Sequence, residues 1–239
     1  MAEDVDEADP EPTPPSAEEV ARRALVLATI SCRGVLELDP DREEAARFWS
    51  RVSSWWNRLG QDAELEPAEA DLMAAAFGTA PHQELVNASW RSEALGVLAW
   101  ALRRAQLPPH DQQVDAAGVG RTLGFLQDQT VLDSPELGSP AELEHYADVA
   151  LTVHWRLRDF SLNPRALDFA AFCKTAWFGP LSLDRVRLVD GDLAVGDQPI
   201  SRASERDVRT IMSIAQERHQ AANWLLDASD SLSETDTST

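Results

Sequence analysis

The stretch Trp90 to Leu102, WRSEALGVLAWAL, decides the fold. Beyond Glu93 it contains no polar residue, and a segment that is apolar on every side belongs inside a protein. The spacing predicts a buried central helix from about His82 to Arg104, stopped by Leu107-Pro-Pro109 because consecutive prolines break the hydrogen-bond ladder. Two charges stand at its mouth. Arg91 shares a stripe with Leu95, Leu98 and Leu102, while Glu93 shares the other stripe with Trp90, Val97 and Trp100. Residues two apart point about 200° apart on a helix, so Arg91 and Glu93 cannot readily pair with each other. A charge near a core is very costly alone, so each needs a partner from another element. Substituting Arg91 is expected to cost at least as much as substituting Glu93.

Working outward, helical signals surround this segment. Ser16-Ala-Glu-Glu19 is a capping box before Val20, Ala24, Leu25, Leu27 and Ala28. Asp39-Pro40 opens a helix carrying Phe48, Trp49, Val52, Trp55, Trp56 and Leu59, which Gly60 stops. LEPAEADLMAAAFG gives another short helix. Ser139-Pro140-Ala-Glu142 starts a helix with Leu143, Ala147, Ala150, His154 and Leu157 on one face, and LDFAAFCKTAWFG is a further short helical segment. Ser204 and Asp207 cap the last helix, whose stripe is Val208, Ile211, Ala215, His219, Ala222 and Leu226.

One segment has a different period. RVRLVDGDLAVG alternates on both sides of Asp190-Gly191, a two-residue hairpin turn that puts Val186, Leu188, Leu193 and Val195 on one face. The fold class is therefore mainly α, with a single bundle-like helical domain over residues 16–228 and one β-hairpin near residues 185–196. Residues 1–15 form an acidic, proline-rich tail and 229–239 a Ser/Thr/Asp tail. Both are expected to be disordered, because neither offers enough apolar surface to offset ordering.

The formal charge of −20 on 239 residues disfavours nucleic-acid phosphates and anionic lipid surfaces as partners, and is compatible with a basic protein partner. Nearly half of that net charge lies in the two tails, so the body is only moderately acidic. The N-terminus lacks the basic and apolar blocks of a signal peptide, and no apolar run approaches the length of a membrane span, so a cytoplasmic, membrane-free protein is expected. Cys32 and Cys173 are isolated in apolar segments and read as core residues rather than a disulfide or metal pair. No metal or cofactor signature is present, nor a hydrolase elbow or P-loop. Gly118-Val-Gly120-Arg-Thr-Leu-Gly124 fails the dinucleotide spacing and reads as a loop entering a helix. Among eight tryptophans most read as core, with Trp56 and Trp177 as the expected exceptions.

The candidate site residues are polar groups on apolar faces: Arg91 and Glu93 on the central helix, His154 on a later one, and Glu217, Arg218, His219 and Asn223 on the last. Trp90, Trp100, Trp155 and Trp224 are the aromatic candidates beside them. Read as a lock, the charged groups join helix ends. Read as chemistry, an Arg–Glu–His cluster would perform acid–base work, since a histidine near a carboxylate titrates near neutrality. The lock is the favoured reading, and with it a non-catalytic interaction or regulatory protein, one form of which is an acidic neutraliser of a basic partner. The alternative is a small-molecule enzyme.

WRSEALGVLAWAL followed by LPPHD resembles the signature of domain-of-unknown-function family 4272, a group of uncharacterised bacterial proteins. ALVLATISCRGVLE, WNRLG with LEPAEADLM, YADVALTVHWRLRD and ERHQAANWLL fit the same order, over about residues 18–228. The resemblance implies a single helical domain and singles out Trp90, Arg91, Glu93, Trp100, His154, Trp155, Glu217, Arg218, Asn223 and Trp224. It implies no activity, and it leaves out the acidic N-terminal extension.

Overall fold

Ser16 starts the first helix as its capping box requires: its hydroxyl accepts from the Glu19 amide, and the Glu19 carboxylate accepts from the Ser16 amide at 2.7 Å. The computed structural model describes residues 13–127, 130–226 and 231–238. Helix α1 (Ala17–Leu38) lies along α4 (His82–Ala101), and the two backbones touch at Gly34. A Cβ there would stand 2.5 Å from the Ser89 nitrogen and 2.7 Å from the Leu85 carbonyl, which only glycine permits. Asp41 and left-handed Gly60 bound α2 (Arg42–Leu59), and α3 is Pro67–Ala74. Both close the main core around Leu25, Leu27, Leu95, Val97 and Leu98.

Three local readings change. The α4 helix ends at Ala101, before the prolines, because Arg103 turns left-handed (φ +58°) and the amides of Arg104 and Ala105 both fold back onto the Ala99 carbonyl. No glycine marks that stop, so the sequence pattern ran past it. The Gly118–Gly120 segment is helical, forming α5 (Ala116–Thr122) under an Asp115 cap. Trp56 is only 2% exposed, and its indole donates to Asp62 at 2.6 Å, whereas Trp177 is 91% exposed.

A second core joins α6 (Pro140–Leu162), α7 (Phe169–Thr175), a small sheet and α8 (Glu205–Trp224). The sheet is antiparallel in the order β1 (Leu188–Val189), β2 (Asp192–Val195), β3 (Gln198–Pro199), with Leu188 opposite Leu193. The expected hairpin thus gains a third short strand. Leu193 and Val195 are buried against Val153, Leu157 and Ile211. Asp190 (φ +52°) and Gly191 (φ +80°) form the turn, as its residue pair dictates. Gly191→Val should lower stability by about 1–3 kcal/mol, the usual range for a forced left-handed residue. Denaturant unfolding checks this, and an unchanged midpoint would mean that the turn tolerates a β-branched residue.

At the C-terminus, residues 231–238 lie against the helical body. Leu232 is fully buried in the main core, and Glu66 accepts hydrogen bonds from the amides of Leu232 (2.8 Å) and Ser233 (3.3 Å). From α8, Gln220 donates to the Ser233 carbonyl and Asn223 to the Asp236 carbonyl. Composition undercounts such a segment, because one leucine in a waiting groove and backbone groups met by distant side chains leave no local pattern. Residues 1–12, 227–230 and 239, on which the rest of the tail expectations fall, lie outside the described residues. Deleting 231–239 should cost at most about 3 kcal/mol, the burial of one leucine, because the ordering entropy of the segment offsets part of that gain. A truncated protein melting with the full chain would show that the docked tail contributes nothing.

Candidate functional site

Glu93 is the deepest charge of the central helix, with no exposed surface. Its Oε2 accepts from the Arg218 Nε at 2.9 Å and lies 2.8 Å from Nη2, and its Oε1 accepts from the Val114 amide at 2.9 Å. The remaining Arg218 donors reach the carbonyls of Pro108 (3.1 Å), Pro109 (3.2 Å) and Gln112 (2.7 Å). One ion pair therefore ties α4, α8 and the 108–114 loop together. Arg91 forms an outer pair with Glu217 at 3.1 Å and also donates to Gln220 at 3.1 Å. Its side chain is 21% exposed, so the expected order reverses: Glu93, not Arg91, is the deeper member. Burial raises the Glu217 carboxyl above its ordinary range, against the pull of Arg91.

His154 and His219 do not join this network. Their Nδ1 atoms face each other at 2.9 Å, one donating and one accepting, so the expected Arg–Glu–His group separates into an ion-pair lock and a histidine pair. Burial, first of all, depresses both to about 4. Arg158 adds to this at His154, the neighbouring ring adds to it at His219, and Asp236 of the docked tail partly opposes it there. Both rings are neutral in the fold, whereas the unfolded chain takes up protons below about 6.5. Stability is therefore fully present above about pH 6.5 and falls as pH drops toward 4. In His154→Gln this acid slope should be shallower. Equal slopes in thermal melts across that window would assign the acid sensitivity to other groups.

The other sequence candidates have structural places. Trp224 is buried in the main core, Trp90 is half-buried on α4, and Trp100 packs on Tyr146 with ring centres 4.6 Å apart. Trp155 stacks on Phe172 at 4.4 Å and Phe169 at 6.1 Å. Asn223 holds the tail. Cys32 and Cys173 are free thiols, raised by burial to about 12 and about 11.

Two features escaped the sequence reading. Arg156, with no exposed surface, clamps Asp192 of β2 through two 2.8 Å bonds and also reaches Asp159 and the Arg165 carbonyl. The second is a cavity of about 420 Å³ between the proline loop, α6, residues 184–186 and α8, with Arg218 in its wall. His110 lines it and donates from Nε2 to the Ala194 carbonyl at 2.9 Å. A carbonyl only accepts, which fixes the tautomer. Burial lowers the pKa of this ring, and its Nδ1 is closed off without a partner. His145 and Asp184 pair at 3.0 Å on the exposed rim. The LPPHD segment that ends in His110 and Asp111 was the available signal. Among the described residues no group of three or more His, Cys, Asp and Glu side chains is placed to hold a metal, and no helix is long and apolar enough to cross a membrane.

These elements define a mainly α-helical protein with a small antiparallel sheet, stapled by buried ion pairs around a ligand-sized cavity. The chain belongs to the family described as domain of unknown function DUF4272, whose model matches residues 5–169. That span carries Glu93, Tyr146 and His154. The sheet and α8, with Arg218 and His219, lie beyond it, and so does the ERHQAANWLL segment of the sequence resemblance. The match begins inside the acidic extension that the resemblance left out. No curated protein and no solved structure matches the chain.

Proposed function

We propose that this protein is a non-catalytic interaction module that docks through the aromatic corner at Trp177 and Phe178. The observation that carries this reading is a tryptophan 91% exposed beside a phenylalanine 41% exposed. The corner is supported from below: the Trp177 and Phe178 rings meet edge-on at 5.3 Å, and Phe178 leans on Trp155 at 5.8 Å. Leu162, 75% exposed and seven residues from Trp155, continues the same face of α6. Exposed apolar clusters of this kind mark interaction sites, and tryptophan is enriched where binding energy concentrates. The charge of −20 favours a basic protein partner over nucleic acid or an anionic membrane, and a cytosolic neutraliser of such a partner is its most specific form. The enzyme reading draws less support, because Glu93, Arg218, His154 and His219 are spent on one another and on backbone groups.

The test is affinity capture from native lysate at low and high salt with wild type and Trp177→Ala, whose melting temperature should match wild type. A partner retained by wild type at low salt, lost at high salt and lost by the variant supports the reading, and identical captures sink it. Light scattering scores a second copy of the chain as the occupant.

A further inference from the structure

The charges around the 420 Å³ cavity are paired, that of Arg185 on the rim only loosely. Arg218 gives every guanidinium nitrogen to Glu93 or to backbone carbonyls. At the mouth Asp184 meets His145 at 3.0 Å, and Glu142 meets Arg103 at 2.7 Å. Arg185 is 88% exposed on the rim and lies 3.8 Å from Asp184. The deep polar group left over is the Tyr146 hydroxyl. It has no hydrogen-bond partner among the described residues, yet it is not closed off as the His110 Nδ1 is. Tyr146 lines the cavity together with Arg218, and the charges of Arg218 and Glu93 both act on its hydroxyl. Burial pushes its pKa up to about 12, so it stays an O–H donor at any physiological pH.

Apart from exposed Gln106 and the ring of His110, the rest of the wall is apolar. Trp100 and Tyr146 form a tilted aromatic ledge at 4.6 Å and 44°, faced by Val149, Val153 and Ile214. Rings of this kind favour flat partners in offset or edge contact. The volume falls within the range of about 300–1,000 Å³ typical of small-molecule sites, which combine apolar walls with a few orienting polar groups. A ligand charge seated on the inner ledge would be buried away from the rim cation Arg185, at high cost.

We infer that this cavity binds a neutral, planar small molecule of aromatic-ring size carrying a hydrogen-bond acceptor for the Tyr146 hydroxyl. The acceptor is a carbonyl oxygen or a ring nitrogen, which takes the phenolic proton as a hydrogen bond while the ring lies on the Trp100 ledge. This site is separate from the Trp177 corner, so the two readings stand or fall independently.

Three probes of similar shape test it by titration calorimetry on the full chain: acetophenone, which has an acceptor, ethylbenzene, which has none, and benzoate, which is charged. Acetophenone should bind wild type at least about tenfold more tightly than benzoate, the effect of burying an unpaired charge. Tyr146→Phe keeps the ring and should weaken acetophenone by about three- to tenfold, the effect of one lost hydrogen bond, while leaving ethylbenzene unchanged. Val149→Trp fills the void and should abolish binding of both. Melting curves establish that each variant is folded, and the acetophenone–benzoate contrast on wild type decides even if one is not. The inference is overturned if acetophenone does not bind wild type, if benzoate binds as tightly, or if either folded variant binds acetophenone as wild type does.

Discussion

Glu93→Gln should lower the stability of the fold by about 3–5 kcal/mol, because it leaves Arg218 as an uncompensated buried charge. Arg218 is 5% exposed, and every nitrogen it carries already has a fixed partner, so it cannot swing to water. Arg218→Ala should cost as much, since it strands Glu93 and frees the carbonyls of Pro108, Pro109 and Gln112. The double variant Glu93→Leu with Arg218→Met should recover only part of the loss. It removes both charges, but the Val114 amide and three loop carbonyls still lack partners. Arg91→Ala should cost about 1 kcal/mol or less, because its pair with Glu217 is partly open to solvent. Urea unfolding of the set decides the matter. A loss for Arg91→Ala equal to that for Glu93→Gln would remove the distinction between inner and outer pair.

Asp192→Ala is expected to have the next largest effect, about 3 kcal/mol, again from a stranded buried arginine. Arg156 would keep Asp159 and the Arg165 carbonyl, which limits the damage relative to Glu93. The substitution also unpairs the Leu167 amide, which donates to Asp192 at 3.1 Å, so the lead-in to α7 loses its anchor on the sheet. Asp190→Asn is the control. Asp190 pairs with Arg202 on the surface, and asparagine tolerates its left-handed backbone, so loss of this charge should cost well under 1 kcal/mol. If the two variants unfold at the same urea concentration, the Arg156 clamp does not hold the sheet to α6.

Much of this was legible before any coordinates. Ser16, Ser139 and Ser204 carry the signals that start α1, α6 and α8, and each is found as the cap. Asp190-Gly191 dictates a turn, which in turn sets Leu188 opposite Leu193. The helical period alone sends Arg91 and Glu93 to opposite faces and obliges each to find its own partner. These are local constraints, written in residues a few positions apart, because caps, turns and periodicity act over one or two turns of chain.

Only the tertiary structure decided which partners those are. Arg218 lies 125 residues from Glu93, and Asp192 lies 36 residues from Arg156. No spacing rule connects such positions, since their meeting depends on how α4, α6, α8 and the sheet dock. The same holds for the pairing of His154 with His219, which the sequence pattern grouped with the charges because all lie on apolar stripes. It holds too for Leu232, a lone leucine in a polar run, which lies in the main core while Glu66 and α8 hold the backbone around it. The cavity under the proline loop follows from the same docking: it is space left between elements, and space has no residue to announce it in the sequence.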